Sequence, residues 1–189
     1  MGERTRQVPP PCWTIGHSTL SAEAFIGRLA THGIRQVADV RRYPASRRYP
    51  HFNREILMTM LQARGIAYRW FEGLGGRRKG DAEKSLNTGL ESPGFRSYAD
   101  YARTAEFEAS YLELLEWLGA GPTALMCAET LWWKCHRRLI ADQLVARGGL
   151  VTHILNEDHA EPHRLWDLAV RTAGGLVYPR PQGELDLGT

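Results

Sequence analysis

Ala124-Leu125-Met126-Cys127-Ala128-Glu129-Thr130-Leu131-Trp132-Trp133-Lys134-Cys135-His136-Arg137-Arg138 is the stretch whose reading decides the fold. The apolar run Thr123 to Cys127 follows a Gly121-Pro122 break and fits a fully buried strand. Leu139, Ile140 and Leu144 then recur at helical spacing, which predicts a helix from about Cys135 to Arg147. A buried strand, a short loop and a helix make one unit of a parallel sheet. The loop holds two cysteines, a carboxylate, a histidine and two arginines, a group costly to keep near a core without a use.

Working outward, the same unit recurs. Cys12 to Ile15 reads as a strand that stops at Gly16-His17-Ser18, and Ser21 as the cap of a helix burying Ala22, Phe25, Ile26 and Leu29 before Gly33. Ile34 to Val40 is a second strand, with Asp39 and Arg41 at its carboxyl end. A helix capped by Asn53, with Ile56, Leu57, Met60 and Leu61 inward, leads to a third strand at Ile66 to Phe71. A Gly-rich polar loop runs from Glu72 to roughly Ser97. Tyr98 to Leu118 reads as one helix, with Tyr101, Ala105, Leu112 and Leu115 inward. Leu150 to Leu155 is a fifth strand, and a last helix is expected from Pro162, burying Leu165, Leu168 and Ala169 and stopping at Gly174-Gly175. The expectation is a single three-layer α/β domain over 12–178, with a mostly parallel five-stranded sheet and helices on both faces. Residues 1–11 and 179–189 read as a flexible leader and a flexible tail.

Of 189 residues, 43% are hydrophobic and 24% charged, as in ordinary soluble domains, and the net charge of +3 is too mild to argue alone for nucleic acid. Three cysteines, no secretory signal and no apolar run able to span a bilayer point to a reduced, cytoplasmic setting without a membrane.

In open α/β sheets ligands bind outside the carboxyl ends of the strands, and His17-Ser18, Asp39-Arg41 and Cys127-Glu129 gather there, with His153 a further candidate. Glu129 is the expected acid or base and Asp39 the second carboxylate, unless each merely pairs with an arginine, Asp39 with Arg41 and Glu129 with Arg137. Cys135, beside a helix start, His136 and Arg137, is a candidate nucleophile; Cys12 reads as a buried hydrophobe. Cys127, Cys135 and His136 could hold a metal, with His17, His153 or Cys12 as a fourth ligand. Against that, seven residues separate the cysteines, and adjacent side chains diverge on a helix. Arg41, Arg47, Arg77 and Arg137 are expected to hold phosphate, and His17 and Ser18 to make polar contacts with the substrate. Tyr43 and Tyr49 interleave with arginines as in surfaces that stack bases. No cofactor is assigned.

Thr14-Ile15-Gly16-His17-Ser18, Asp39-Val40-Arg41 with Pro44 and Ser46, Gly75-Gly76, Cys127-Ala128-Glu129 and Cys135-His136-Arg137 occur in that order. Over about residues 12–157 this pattern resembles the domain of unknown function 488 family. The resemblance implies a compact α/β domain and no established activity. From the residues, the expected function is an enzyme acting on a nucleotide or nucleic acid, hydrolysing a glycosidic or phosphoester bond. A noncatalytic nucleic-acid-binding module with a structural Cys/His site, and a thiol-based redox or sulfur-transfer protein, are the alternatives.

Overall fold

A computed structural model describes residues 8–81 and 84–181. Six strands, β1 (Cys12–Gly16), β2 (Gln36–Asp39), β3 (Ala67–Trp70), β4 (Thr123–Cys127), β5 (Val151–Ile154) and β6 (Ala160–Pro162), form one sheet in the spatial order β3-β2-β4-β1-β5-β6. The first five are parallel, as expected; the sixth pairs antiparallel with β5. Alternate residues of the central strands supply two separate cores, because side chains of a strand point to opposite faces. Ala124 and Met126 pack with Phe25, Leu29, Leu57 and Leu61. Leu125 and Cys127 pack with Tyr98, Phe107, Tyr111, Leu139 and Leu144. Helices α1 (Ala22–Thr31) and α2 (Arg54–Gln62) therefore cover one face, and α3 (Pro93–Tyr101), α4 (Ala105–Gly119) and α5 (Arg137–Ala146) the other. Each fully buried Phe or Leu on these faces contributes about 1.5–3 kcal/mol. Among the described residues no helix is long and apolar enough to cross a membrane.

Local chemistry sets the helix ends. Ser21 caps α1 by accepting a hydrogen bond from Ala24 N at 3.1 Å. Asn53 precedes α2 but does not cap it; its Oδ1 accepts from Ser46 N at 2.6 Å and so ties down the arginine-rich loop. The single helix expected over Tyr98 to Leu118 is two. Thr104 adopts an extended conformation and accepts from Phe107 N at 3.3 Å, which starts a new helix and turns its inward face. Phe107, Tyr111, Leu114 and Leu118 are buried, while Leu112 is 40% exposed.

The helix expected from Pro162 does not form. Pro162 ends the edge strand β6, where a missing N–H is tolerated. His163 N then donates to Val151 O at 2.7 Å and Trp166 N to Asp142 Oδ1 at 3.0 Å, so the backbone is satisfied outside any helix. Leu165, Leu168 and Ala169 still pack on the core from this irregular segment. A hairpin of β7 (Val170–Thr172) and β8 (Gly175–Val177) follows, with Gly175 at φ 103 where a side chain would be strained. At the end of the expected domain Tyr178 N donates to Asn87 Oδ1 at 2.9 Å, and in the expected tail Arg180 N donates to Thr88 Oγ1 at 3.0 Å. The rest of that tail, from 182, and the leader up to residue 7 lie outside the described residues.

Neighbouring strands β1 and β4 hand their chains to opposite faces, β1 to α1 and β4 to α5. Such a reversal leaves a crevice at the carboxyl ends of the two strands, the usual place for a ligand in an open α/β sheet.

Candidate functional site

The crevice is walled by the segments that leave β1 and β4. Gly16 is in register with Cys127, and the pairing continues past the strands: His17 N donates to Cys127 O at 2.9 Å and Ser18 N to Ala128 O at 3.0 Å. A Cβ on Gly16 would lie 2.0 Å from Glu129 O, so only glycine permits this approach. The arginine-rich loop and the Gly75-Gly76 turn close the other sides, giving a cleft of about 770 Å³.

The Cys135 end is built by a 3-10 turn, Trp132–Lys134, that folds the chain back after β4. Cys135 is extended (φ −117, ψ 146) and precedes α5, with His136 at the helix N-cap. The two side chains therefore do not diverge as neighbours on a helix do. His136 Nδ1 lies 3.6 Å from Cys135 Sγ and 3.9 Å from Cys127 Sγ, and Nε2 lies 2.8 Å from Val40 O. A carbonyl only accepts, so Nε2 carries the proton and Nδ1 offers its lone pair. Arg137 Nε donates to Cys135 Sγ at 3.3 Å. Burial alone would raise the Cys135 thiol; the neighbouring Cys127 thiol and the Arg137 guanidinium outweigh it and hold Cys135 well below its ordinary value. Cys127, beside Cys135 and itself buried, is pushed up. Burial pushes Cys12, in the core away from this group, to about 12.

The carboxylates divide. Asp39 is fully buried and its oxygens are taken: Arg41 Nε donates at 2.9 and 3.1 Å, Arg41 Nη2 at 2.6 Å, Arg41 N at 3.0 Å and Tyr68 Oη at 2.6 Å. Burial and the Asp39 charge push the Tyr68 phenol up, which keeps it a donor. Asp39 does not line the cleft, and its oxygens are committed to Arg41 and Tyr68. Arg41 touches the cleft wall but is spent on Asp39, Phe52 O (2.8 Å) and His17 Nε2 (3.3 Å). Glu129 is exposed on the cleft, where Oε1 accepts from Leu131 N at 3.3 Å. Arg137 bonds the backbone carbonyl of Glu129, not its carboxylate.

Of the expected phosphate contacts, Arg77 lines the cleft and Arg47, exposed, does not. Arg137 is 1% exposed and sits behind the wall, held by Cys135, Thr14 Oγ1 (3.4 Å) and Glu129 O. His17 and Ser18 line the cleft; His17 stacks on Phe52 at 3.9 Å, and burial and Arg41 push its pKa to about 3. Arg48, Lys134 and Phe95 also line it. Phe95 comes from a helix with no motif to mark it, Lys134 stands among the cysteines of the central loop without a spacing that singles it out, and no sequence periodicity distinguishes Arg48 from Arg47.

Sequence reasoning also missed a buried chain of polar groups behind Arg137. Thr14 Oγ1 meets His153 Nδ1 at 2.7 Å, His153 Nε2 meets His163 Nδ1 at 2.9 Å, and His163 Nε2 meets Asp142 Oδ1 at 2.9 Å. Tyr178 Oη completes it by donating to Asp142 Oδ2 at 3.0 Å, and Trp132 stacks on His153 at 3.9 Å. His153 is thus a support for Thr14 and Arg137 and does not reach the cleft.

Burial, then His163, Arg137 and Arg138, lower the His153 pKa to about 3. The unfolded chain binds that proton below about 6.5 while the folded one does not, so stability is full above that pH and falls as pH drops towards 3. The expected loss by pH 5 is about 2 kcal/mol from this residue. Urea unfolding from pH 7 to pH 4.5 checks it: the acid slope should be smaller in His153→Asn, and an equal slope would show that His153 is not the group.

A family model described as the domain of unknown function DUF488 matches residues 21–144, more than half of the chain, and the chain belongs to that family. The matched span includes Asp39, Arg41, Cys127, Glu129 and Cys135 to Arg137 and starts after His17-Ser18. No curated protein and no solved structure matches the chain.

Proposed function

We propose that this family member is an enzyme that hydrolyses a glycosidic or phosphoester bond of a nucleotide or nucleic acid in the cleft above β1 and β4. Glu129 carries the reading. Its carboxylate faces the cleft with, among the described residues, one long backbone hydrogen bond, so its other lone pairs are free to orient a water and take its proton. Asp39, buried, has its oxygens taken up by Arg41 and Tyr68.

The ligand class follows from what surrounds Glu129. Arg48, Arg77 and Lys134 supply positive charge for phosphate, and the exposed Tyr43 and half-buried Phe95 supply rings for a base. Arg77 adopts φ 56 beside Gly76, holding its side chain on a turn whose backbone approaches the site closely. Asp39 and Arg41 position the floor and take no part in proton transfer.

Replacing Arg48 and Arg77 together by alanine should weaken binding of a short single-stranded oligonucleotide and flatten the salt dependence. Each lost phosphate contact should reduce the slope of log K against log salt by about 0.7. Fluorescence anisotropy at three salt concentrations measures both. An unchanged affinity and slope would assign the two arginines to solvated surface. Tight binding by the parent protein with no turnover in a screen of nucleotides and oligonucleotides would replace the enzyme with a binding module.

A further inference from the structure

Cys127, Cys135 and His136 bring one donor atom each to within 4.8 Å of one another. Zinc bonded to sulfur at about 2.3 Å and nitrogen at about 2.0–2.1 Å in a tetrahedron holds S and N about 3.6 Å apart. The two S···N separations are 3.6 and 3.9 Å. We infer that Cys127, Cys135 and His136 form a mononuclear zinc site whose fourth position opens on the cleft.

Three further observations support it. First, the bond from Nε2 to Val40 O fixes the imidazole so that Nδ1 faces both sulfurs, the outer-shell arrangement that orients a ligating histidine. Second, Arg137 donates to Cys135 Sγ from behind and is itself fixed by Thr14 and Glu129 O, which suits a sulfur that carries charge. Third, a Cβ on Gly76 would lie 2.9 Å from His136 Nδ1, so glycine keeps the donor side of the ring open. The fourth-ligand candidates are otherwise engaged: His153 with Thr14 and His163, His17 with Arg41 and Ser18, Cys12 in the core. Three protein ligands and one open position are the arrangement of hydrolytic rather than structural zinc. Two thiolates and an imidazole select zinc over magnesium or calcium. On loading, protons bound to the ligating sulfurs go to solvent. The binding site stands on this geometry alone; its use as the source of the attacking water rests on the hydrolase reading.

The test uses the reduced full chain, stripped with a chelator and titrated with cobalt(II). One cobalt per chain should bind, with a thiolate-to-cobalt charge-transfer band and the visible bands of a tetrahedral ion, all displaced by one equivalent of zinc. Cys127→Ser should lose more than about 100-fold in cobalt affinity, beyond the 10–100-fold of a missing outer-shell partner. Should that variant fail to fold, iodoacetamide on the parent protein decides the matter. Cys135 should be alkylated in the stripped protein and protected in the zinc-loaded one, with Cys12 unmodified in both. No charge-transfer band, or reduced thiols equally reactive with and without zinc, overturns the site. A protein that forms a Cys127–Cys135 disulfide in air and binds neither ion after reduction overturns it in favour of thiol chemistry. Full turnover by the stripped protein removes zinc from the reaction and leaves the hydrolase reading intact; stoichiometric zinc without any turnover does the reverse.

Discussion

Glu129→Gln should turn over its substrate about 10²–10⁴-fold more slowly than the parent, the usual loss for one acid–base group. That range is roughly 3–5 kcal/mol of barrier. Glutamine keeps the shape of the side chain and an acceptor for Leu131 N, the contact at 3.3 Å that holds Glu129 now. It removes the group able to take a proton. Stability should move by less than about 0.5 kcal/mol, as at exposed sites away from caps and cores. The two measurements belong together, because turnover and denaturant midpoint change in opposite patterns under the two possible roles. An early midpoint with parent turnover would make Glu129 a structural residue.

The opposite pattern is expected at Arg41. Asp39 is wholly buried and Arg41 is 5% exposed, and the guanidinium closes on both carboxylate oxygens. Arg41→Ala leaves Asp39 in the sheet with Tyr68 as its remaining side-chain partner. Breaking one side of a buried pair costs about 3–5 kcal/mol, because a charge is stranded out of water. Arg41→Lys should recover little of this, since an ammonium cannot reproduce the fork that also reaches Phe52 O and His17. Urea unfolding should show a midpoint shifted far to lower denaturant with the slope unchanged. A normal midpoint combined with lost oligonucleotide binding would return Arg41 to the phosphate contacts.

The contrast between Glu129 and Asp39 shows how far the sequence could be read. Both are carboxylates at strand ends, and alternation alone puts both near the cleft. Their roles differ through their partners: Arg41 and the distant Tyr68 take up the oxygens of Asp39, whereas Glu129 meets no more than its own loop. The parallel sheet was legible because β1, β2, β4 and β5 are short apolar runs separated by helical spacing and glycines. The end of the chain was not. Pro162 and the apolar Leu165, Leu168 and Ala169 satisfy a helical pattern, but Asp142 and Val151 take the backbone donors that a helix would need. The meeting of Cys135 and His136 was also hidden. Spacing predicts divergence on a helix, and the extended conformation of Cys135 before α5 reverses that. The chain Thr14–His153–His163–Asp142 spans more than a hundred residues of sequence and leaves no local pattern to find.

That one cleft, at the carboxyl ends of β1 and β4, both binds the phosphate-bearing ligand and holds the reacting group is the central claim. A crystal structure of Glu129→Gln grown with a short single-stranded oligonucleotide tests it most directly, because the variant should bind without consuming its ligand. The expected density places phosphates against Arg48, Arg77 and Lys134, a base against Tyr43 or Phe95, and the scissile bond beside residue 129. An oligonucleotide seated on another face, with this cleft empty at saturating ligand, would contradict it.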